Sequence, residues 1–214
     1  MVPFHTKDRI IKTMHFAAAA AAAACLAGWG TAAQAGAGDI LIRARAVSVT
    51  PQVSTGDTLS TLNAGVKQSV IPELDFTYMF TDHLGAELIL GTTRNRLTSS
   101  LGSLGKVSLL PPTATLQYHF NDEGAIRPYV GAGINYTRFY DNGLSAGGVP
   151  IGIKQNSFGP ALQLGVDVKL SENWFFNVDV KKLWVRTDAS LAGANLGTLK
   201  IDPWLFGVGV GYRF

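Results

Sequence analysis

The chain has 214 residues, which suits one domain, and a formal net charge of +3. Lys7, Arg9 and Lys12 against Asp8 place most of that excess in the first few residues, so the remainder is near neutral and charge gives no argument for nucleic acid. Cys25 is the only cysteine, which leaves no disulfide within the chain, and nothing downstream supplies the roughly 20 consecutive apolar residues of a membrane helix.

The first element is a leader. After the basic start, Phe16 to Ala27 is an apolar run dominated by alanine, and Ala33-Gln34-Ala35 offers small residues at the two positions a signal peptidase requires. The pattern predicts a signal peptide over residues 1–35, removed after Ala35, and a folded region over 36–214. The run is too short to cross a bilayer as a helix. Ala22-Ala23-Ala24-Cys25 weakly imitates a lipoprotein site but would leave a very short apolar run. Cleavage after Ala35 removes Cys25, and with it thiol chemistry and any cysteine metal site. Export without a spanning helix leaves the periplasm, the exterior or the outer membrane, and strand pattern must decide.

Eight segments then alternate with period two, as strands do. Asp39 to Val49 sets Ile40, Ile42, Ala44 and Ala46 against Arg43 and Arg45. Ser69 to Phe80 sets Val70, Leu74, Phe76 and Tyr78 against Ile71, Glu73, Asp75 and Thr77. Leu84 to Thr92 carries Glu87 and Ile89 on its inner face. Val107 to Phe120 sets Leu110, Leu116 and Tyr118 against Leu109, Thr115, Gln117 and His119. Pro128 to Tyr140, Ser157 to Leu170 and Trp174 to Val185 follow the same rule. The last, Trp204 to Phe214, has Trp204, Phe206, Val208, Val210, Tyr212 and Phe214 on one face and glycines with Arg213 on the other.

The connections alternate in length. Residues 50–68, 93–106, 141–156 and 186–198 read as long loops; 81–83, 121–127 and 171–173 read as short turns. That is the outer-membrane rule of short periplasmic turns and longer extracellular loops, with both termini periplasmic. Segments of this length cross a bilayer at a tilt, and an even strand number closes the sheet without edges. A soluble barrel would turn its large apolar residues inward; here they share the face opposite the charges. The expected fold is therefore all-β, an eight-stranded antiparallel transmembrane barrel in the outer membrane of a Gram-negative bacterium. Aromatic residues at both ends of the last strand fit the two bilayer interfaces, and Tyr212 with Phe214 resembles the C-terminal signal read by the outer-membrane assembly machinery.

The inward positions form a gradient. Val47, Ile71, Ile89, Leu109, Phe139, Leu183, Val185, Ile201 and Leu205 lie toward the outer mouth. Arg43, Arg45, Asp75, Glu87, His119, Asp167, Lys169, Asp179 and Arg213 lie toward the periplasm. Mixed charges in a narrow, poorly hydrated lumen should pair. Such pairing is a plug beneath an apolar vestibule, or it is simply how a small barrel fills its interior. A vestibule closed below needs a sideways exit for solute. Proline cannot donate to a ladder, and Pro72, Pro111, Pro112, Pro160 and Pro203 all sit near outer strand ends. Pro111-Pro112 is the strongest candidate for a lateral opening; the alternative is that the prolines only mark strand ends.

The sequence points away from an enzyme. His119 has no serine pattern beside it, the carboxylates have arginine neighbours, and neither metal-ligand spacing nor a phosphate loop is present. No cofactor is expected.

Arg127-Pro-Tyr-Val-Gly-Ala-Gly-Ile-Asn-Tyr136, with Phe139 and Asp141-Asn142-Gly143, resembles the fifth strand of the OmpW family. Leu110-Pro-Pro-Thr113, Phe76-Thr-Tyr-Met79 with Thr81-Asp82, and Asp202-Pro-Trp204 with Gly211-Tyr-Arg-Phe214 agree in order along the chain. The resemblance implies an eight-stranded outer-membrane barrel with a hydrophobic extracellular lumen that takes up small hydrophobic molecules and releases them laterally. The partners expected are outer-membrane lipid, a small hydrophobic solute and the assembly machinery. The second reading is a structural or adhesive barrel acting through its loops on host, phage or stress-related partners.

Overall fold

The computed structural model describes residues 36–55, 65–99, 102–121 and 124–214; the expected leader, with Cys25, lies outside them. The described residues form, in order, β1 (Ile40–Thr50), β2 (Ser54–Thr55), β3 (Gly65–Val66), β4 (Ser69–Met79), β5 (Leu84–Gly91), β6 (Thr93–Ser99), β7 (Gly102–Leu110) and β8 (Thr113–His119). They continue with β9 (Ile126–Tyr140), β10 (Ser145–Ala146), β11 (Val149–Ile153), β12 (Asn156–Lys169), β13 (Trp174–Leu183), β14 (Arg186–Leu191), β15 (Ala194–Lys200) and β16 (Trp204–Arg213).

Eight of these close a ring. The order β12-β13-β16-β1-β4-β5-β8-β9 is antiparallel throughout, and β9 pairs back onto β12. The first and last staves meet in one long ladder, from Leu41↔Arg213 to Thr50↔Trp204. Closure leaves no edge strand, the condition a bilayer imposes on backbone polar groups.

Period-two burial runs along every stave. In β4, Ile71, Glu73, Asp75, Thr77 and Met79 are buried, while Val70, Pro72, Leu74, Phe76 and Tyr78 are exposed. The exterior is apolar: Leu116 is 64% and Leu164 59% exposed, whereas Arg43 and Asp75 are 0%. A water-soluble barrel has the opposite arrangement. Rings gather at the short-turn end, where Trp174–Tyr212, Tyr212–Phe214, Tyr78–Phe80 and Tyr118–Phe120 pack edge to face. Tyr136, Tyr140, Phe158 and Trp204 are exposed at the other end. Two aromatic girdles around an apolar band are the exterior of a membrane barrel.

Inner glycines let the backbone of the neighbouring strand come close. A Cβ on Gly209 would lie 2.8 Å from the Cα of Arg45, and one on Gly133 2.7 Å from the Cα of Thr115.

The long connections depart from expectation. The segment expected as a loop over 93–106 is mostly a hairpin, β6–β7, paired from Thr93↔Leu109 to Ser99↔Gly102. The one expected over 186–198 is the hairpin β14–β15. The remaining two contribute β2 and β3, and β10 and β11, which pair with these hairpins or with each other. The physical reason is an inversion of polarity. Beyond the apolar band the outward face meets headgroups and water rather than lipid chains, so β6 turns Arg94 and Arg96 out and Leu97 in. Without a lipid-facing apolar row its alternation looks like a polar loop.

Candidate functional site

The middle of the lumen is filled by an ion-paired layer. The ladder sets Arg43 beside Asp75 and Arg45 beside Glu73. The Arg43 guanidinium reaches Asp75 at 3.1 Å and Asp167 at 2.8 Å, and its Nη1 donates to Thr77 at 2.8 Å. Arg45 reaches four carboxylates: Asp75 at 2.6 Å, Asp179 at 2.8 Å, Glu73 at 2.9 Å and Glu87 at 3.2 Å. Lys181 joins Glu73 at 2.5 Å and Asp179 at 3.0 Å. Neutral groups complete it. Thr115 donates to Glu87 at 3.0 Å, Gln163 to Asp179 at 3.0 Å, and Asn177 to Asp167 at 2.7 Å. Removing one member of such a buried network leaves the rest uncompensated, at a cost of about 3–5 kcal/mol.

Toward the hairpin end the lining is apolar. Val47, Ile71, Leu109, Phe139, Leu183, Val185, Ile201 and Leu205 belong to one buried cluster with Val49, Leu97, Val107 and others. Ile89 is buried outside that cluster, beside Asp75 in the ladder. The gradient along the axis is therefore a change of layer between Glu73 and Ile71, two residues apart on one strand.

Below the charged layer the expectation of a charged lower lumen is corrected. Leu41, Met79 and Phe175 form a small apolar floor. Tyr129 is fully buried beside it, and Arg43 lies 5.4 Å from the Tyr129 ring and 5.3 Å from that of Phe175. Lys169 and Arg213 lie beyond the floor, lining an open pocket with Arg127, Asp167 and Glu172; Arg213 faces Asp39 at 3.7 Å. Neither joins the buried network. His119 is buried against Tyr129 with its Nε2 3.2 Å from Gln117, and among the described residues it makes no ion pair. Tyr212 and Phe214 sit in the aromatic girdle at the same end.

The wall above the charged layer is interrupted. The β4–β5 ladder stops at Glu73↔Gly91 and pairing resumes only where Lys67 N donates to Arg96 O at 3.3 Å and at Val66↔Leu97. Between them, residues 68–72 face 92–95 without a ladder, over ~15 Å at the rise of a strand. Side chains alone cross this seam, with Ser69 Oγ 3.2 Å from Asn95 Oδ1. Ile71 lies on its lumen side; Val70, 72% exposed, lies on its outer side. Pro111-Pro112 is at the same height: Ile89↔Thr113 and Thr93↔Leu109 set Gly91 opposite Pro111. There the interruption is short. Pro112 O accepts from Tyr136 N at 3.0 Å, and Pro111 O from Thr113 Oγ1 at 3.0 Å and Asn135 Nδ2 at 3.3 Å. A further gap, between β12 and β14, is bridged by Trp184 N to Pro160 O at 3.2 Å and Arg186 N to Ser157 Oγ at 2.9 Å.

Sequence reasoning read Glu73 as a salt-bridge partner of the neighbouring arginines without placing it in the plug, and passed over Lys181, although it shares the inner face with Asp179. It also passed over Tyr129 and Phe175, whose parity along β9 and β13 places them inside.

The pattern of the OmpW family matches residues 27–214. Outer membrane protein W of Escherichia coli (strain K12) is 39% identical over 189 residues, covering 83% of this chain and 89% of that protein. The dibenzothiophene metabolism operon protein PahQ of Pseudomonas aeruginosa is 30% identical over 148 residues, covering 65% of this chain and 69% of that protein. Among solved structures, the outer membrane protein OprG of Pseudomonas aeruginosa superposes with a TM-score of 0.75 at 32% identity, covering 86% of this chain and 99% of that one. The chain belongs to the OmpW family and is an integral β-barrel protein of the Gram-negative outer membrane.

Proposed function

We propose that the barrel is a narrow vestibule for small hydrophobic molecules, entered from outside the cell and emptied sideways into the bilayer. The observation that carries this reading is the layer change at Ile71 and Glu73: an apolar lining ends on a buried, ion-paired plug. An apolar solute gains by leaving water for such a lining. It loses by entering the plug, where it would separate buried charge pairs. The path therefore turns outward above Glu73. The unpaired seam between 68–72 and 92–95 lies at that height, with Ile71 on its lumen side, Val70 on its outer side and Pro111-Pro112 on the neighbouring stave. The name of PahQ, a dibenzothiophene metabolism operon protein, favours apolar aromatic compounds as the solute class.

The test is flux into liposomes holding the purified protein, comparing an apolar compound with a polar one of equal size. Faster entry of the apolar compound supports the vestibule. Flux of neither through a folded barrel favours the second reading, a structural or adhesive barrel acting through its outer hairpins.

A further inference from the structure

Four cations stand together on the outer wall. Lys67, Arg94, Arg96 and Lys106 are all exposed. Arg96 and Lys106 are direct cross-strand partners, and Lys67 N donates to Arg96 O on the other side, so three like charges line up across three adjacent staves. Arg94 is two residues below Arg96 on the same face. Like charges directly opposite each other destabilise a sheet unless an anion lies between them. Among the described residues no carboxylate serves: the ion pairs lie in the lumen or join Arg213 to Asp39.

Their height gives the chemistry of the missing anion. The apolar exterior ends on these staves at Val70, Leu90 and Leu110. Arg94 is four residues beyond Leu90 and Lys106 four residues before Leu110, which is ~13 Å along a strand and roughly 10 Å along the membrane normal at the usual tilt. That is the outer edge of the headgroup layer, which is about 5–8 Å deep on each side of the bilayer core. We propose that Lys67, Arg94, Arg96 and Lys106 bind the phosphate groups of the phosphorylated glycolipid of the outer leaflet, whose acyl chains then lie along Val70, Leu90 and Leu110. The cations are spread across three staves rather than gathered round one point, as suits a wide headgroup with several phosphates. This proposal rests on the membrane placement of the barrel and not on what passes through the lumen.

The test uses the purified, folded full chain in detergent and three probes: bisphosphorylated lipid A, the same lipid dephosphorylated, and inorganic phosphate. Wild type should bind the phosphorylated lipid in a saturable manner, and the dephosphorylated lipid more weakly by about tenfold. The combined variant Arg94→Gln, Arg96→Gln, Lys106→Gln should lose a similar factor for the phosphorylated lipid while keeping the gel-mobility shift of a folded barrel. Where that variant fails to fold, wild-type binding against salt decides, since affinity resting on exposed charge falls as salt rises. Equal binding of both lipids, an unchanged affinity in the folded variant, salt-independent binding, or inorganic phosphate binding as tightly as the lipid would each overturn the proposal.

Discussion

Arg45 and Asp179 meet at 2.8 Å across the lumen, from β1 and β13, and the same guanidinium also holds Glu73, Asp75 and Glu87. One side chain thus ties four staves, β1, β4, β5 and β13, together from inside. Arg45→Met should leave these carboxylates without their common partner and lower stability by about 3–5 kcal/mol. Arg45→Lys, which keeps the charge but not the planar fork, should lose less. The denaturant midpoint of the refolded barrel reads both; a wild-type midpoint for Arg45→Met would contradict the account of the plug.

The inner glycines should be unequal. Gly209→Ala and Gly133→Ala push a Cβ against the backbone of the neighbouring strand, at 2.8 and 2.7 Å, and overpacking of this kind costs about 1–3 kcal/mol. Gly91→Ala meets nothing nearer than Pro72 O at 3.7 Å and should be close to neutral. The same unfolding midpoints test the contrast.

Membrane side and strand parity were legible because lipid enforces them. Every lipid-facing row, such as Val70, Leu74, Phe76 and Tyr78, is apolar, so the opposite face is read by elimination. Parity alone would also have admitted Glu73 and Lys181 to the plug. Beyond the apolar band the constraint lapses, and Arg94 and Arg96 in β6 look like loop residues because headgroups and water make no demand for an apolar row. The apolar floor was hidden for a different reason: Leu41, Met79 and Phe175 come from three strands well separated in sequence, and only register brings them to one level. Register also governs the wall. Tandem prolines mark Pro111-Pro112 in the sequence, but the longer unpaired seam is set by where the β4 and β6 partners fall.

A crosslink over that seam should close the proposed exit. Ser69→Cys with Asn95→Cys replaces side chains whose polar atoms are 3.2 Å apart, and no other cysteine remains once the expected leader is removed. Oxidation should cut apolar flux and reduction restore it. Flux that is indifferent to a formed crosslink would place the exit elsewhere.

The girdle at the short-turn end should matter for insertion rather than for passage. Tyr212 packs on both Trp174 and Phe214, at 5.0 and 4.7 Å between ring centroids. Tyr212→Ala with Phe214→Ala should slow appearance of the folded form in membranes, whether folding is spontaneous or assisted by the assembly machinery, without altering flux per folded molecule. An unchanged folding rate would remove these rings from the assembly step.

The measurement that bears most directly on the vestibule is apolar solute flux through Leu109→Asp, and in parallel Ile71→Asp, in liposomes where the barrel is shown to be folded. Both side chains line the apolar layer and are nearly fully buried. The account predicts that a carboxylate there cuts apolar flux by about tenfold or more, from the cost of bringing an apolar solute past a buried charge. Wild-type flux through the folded variants would contradict it.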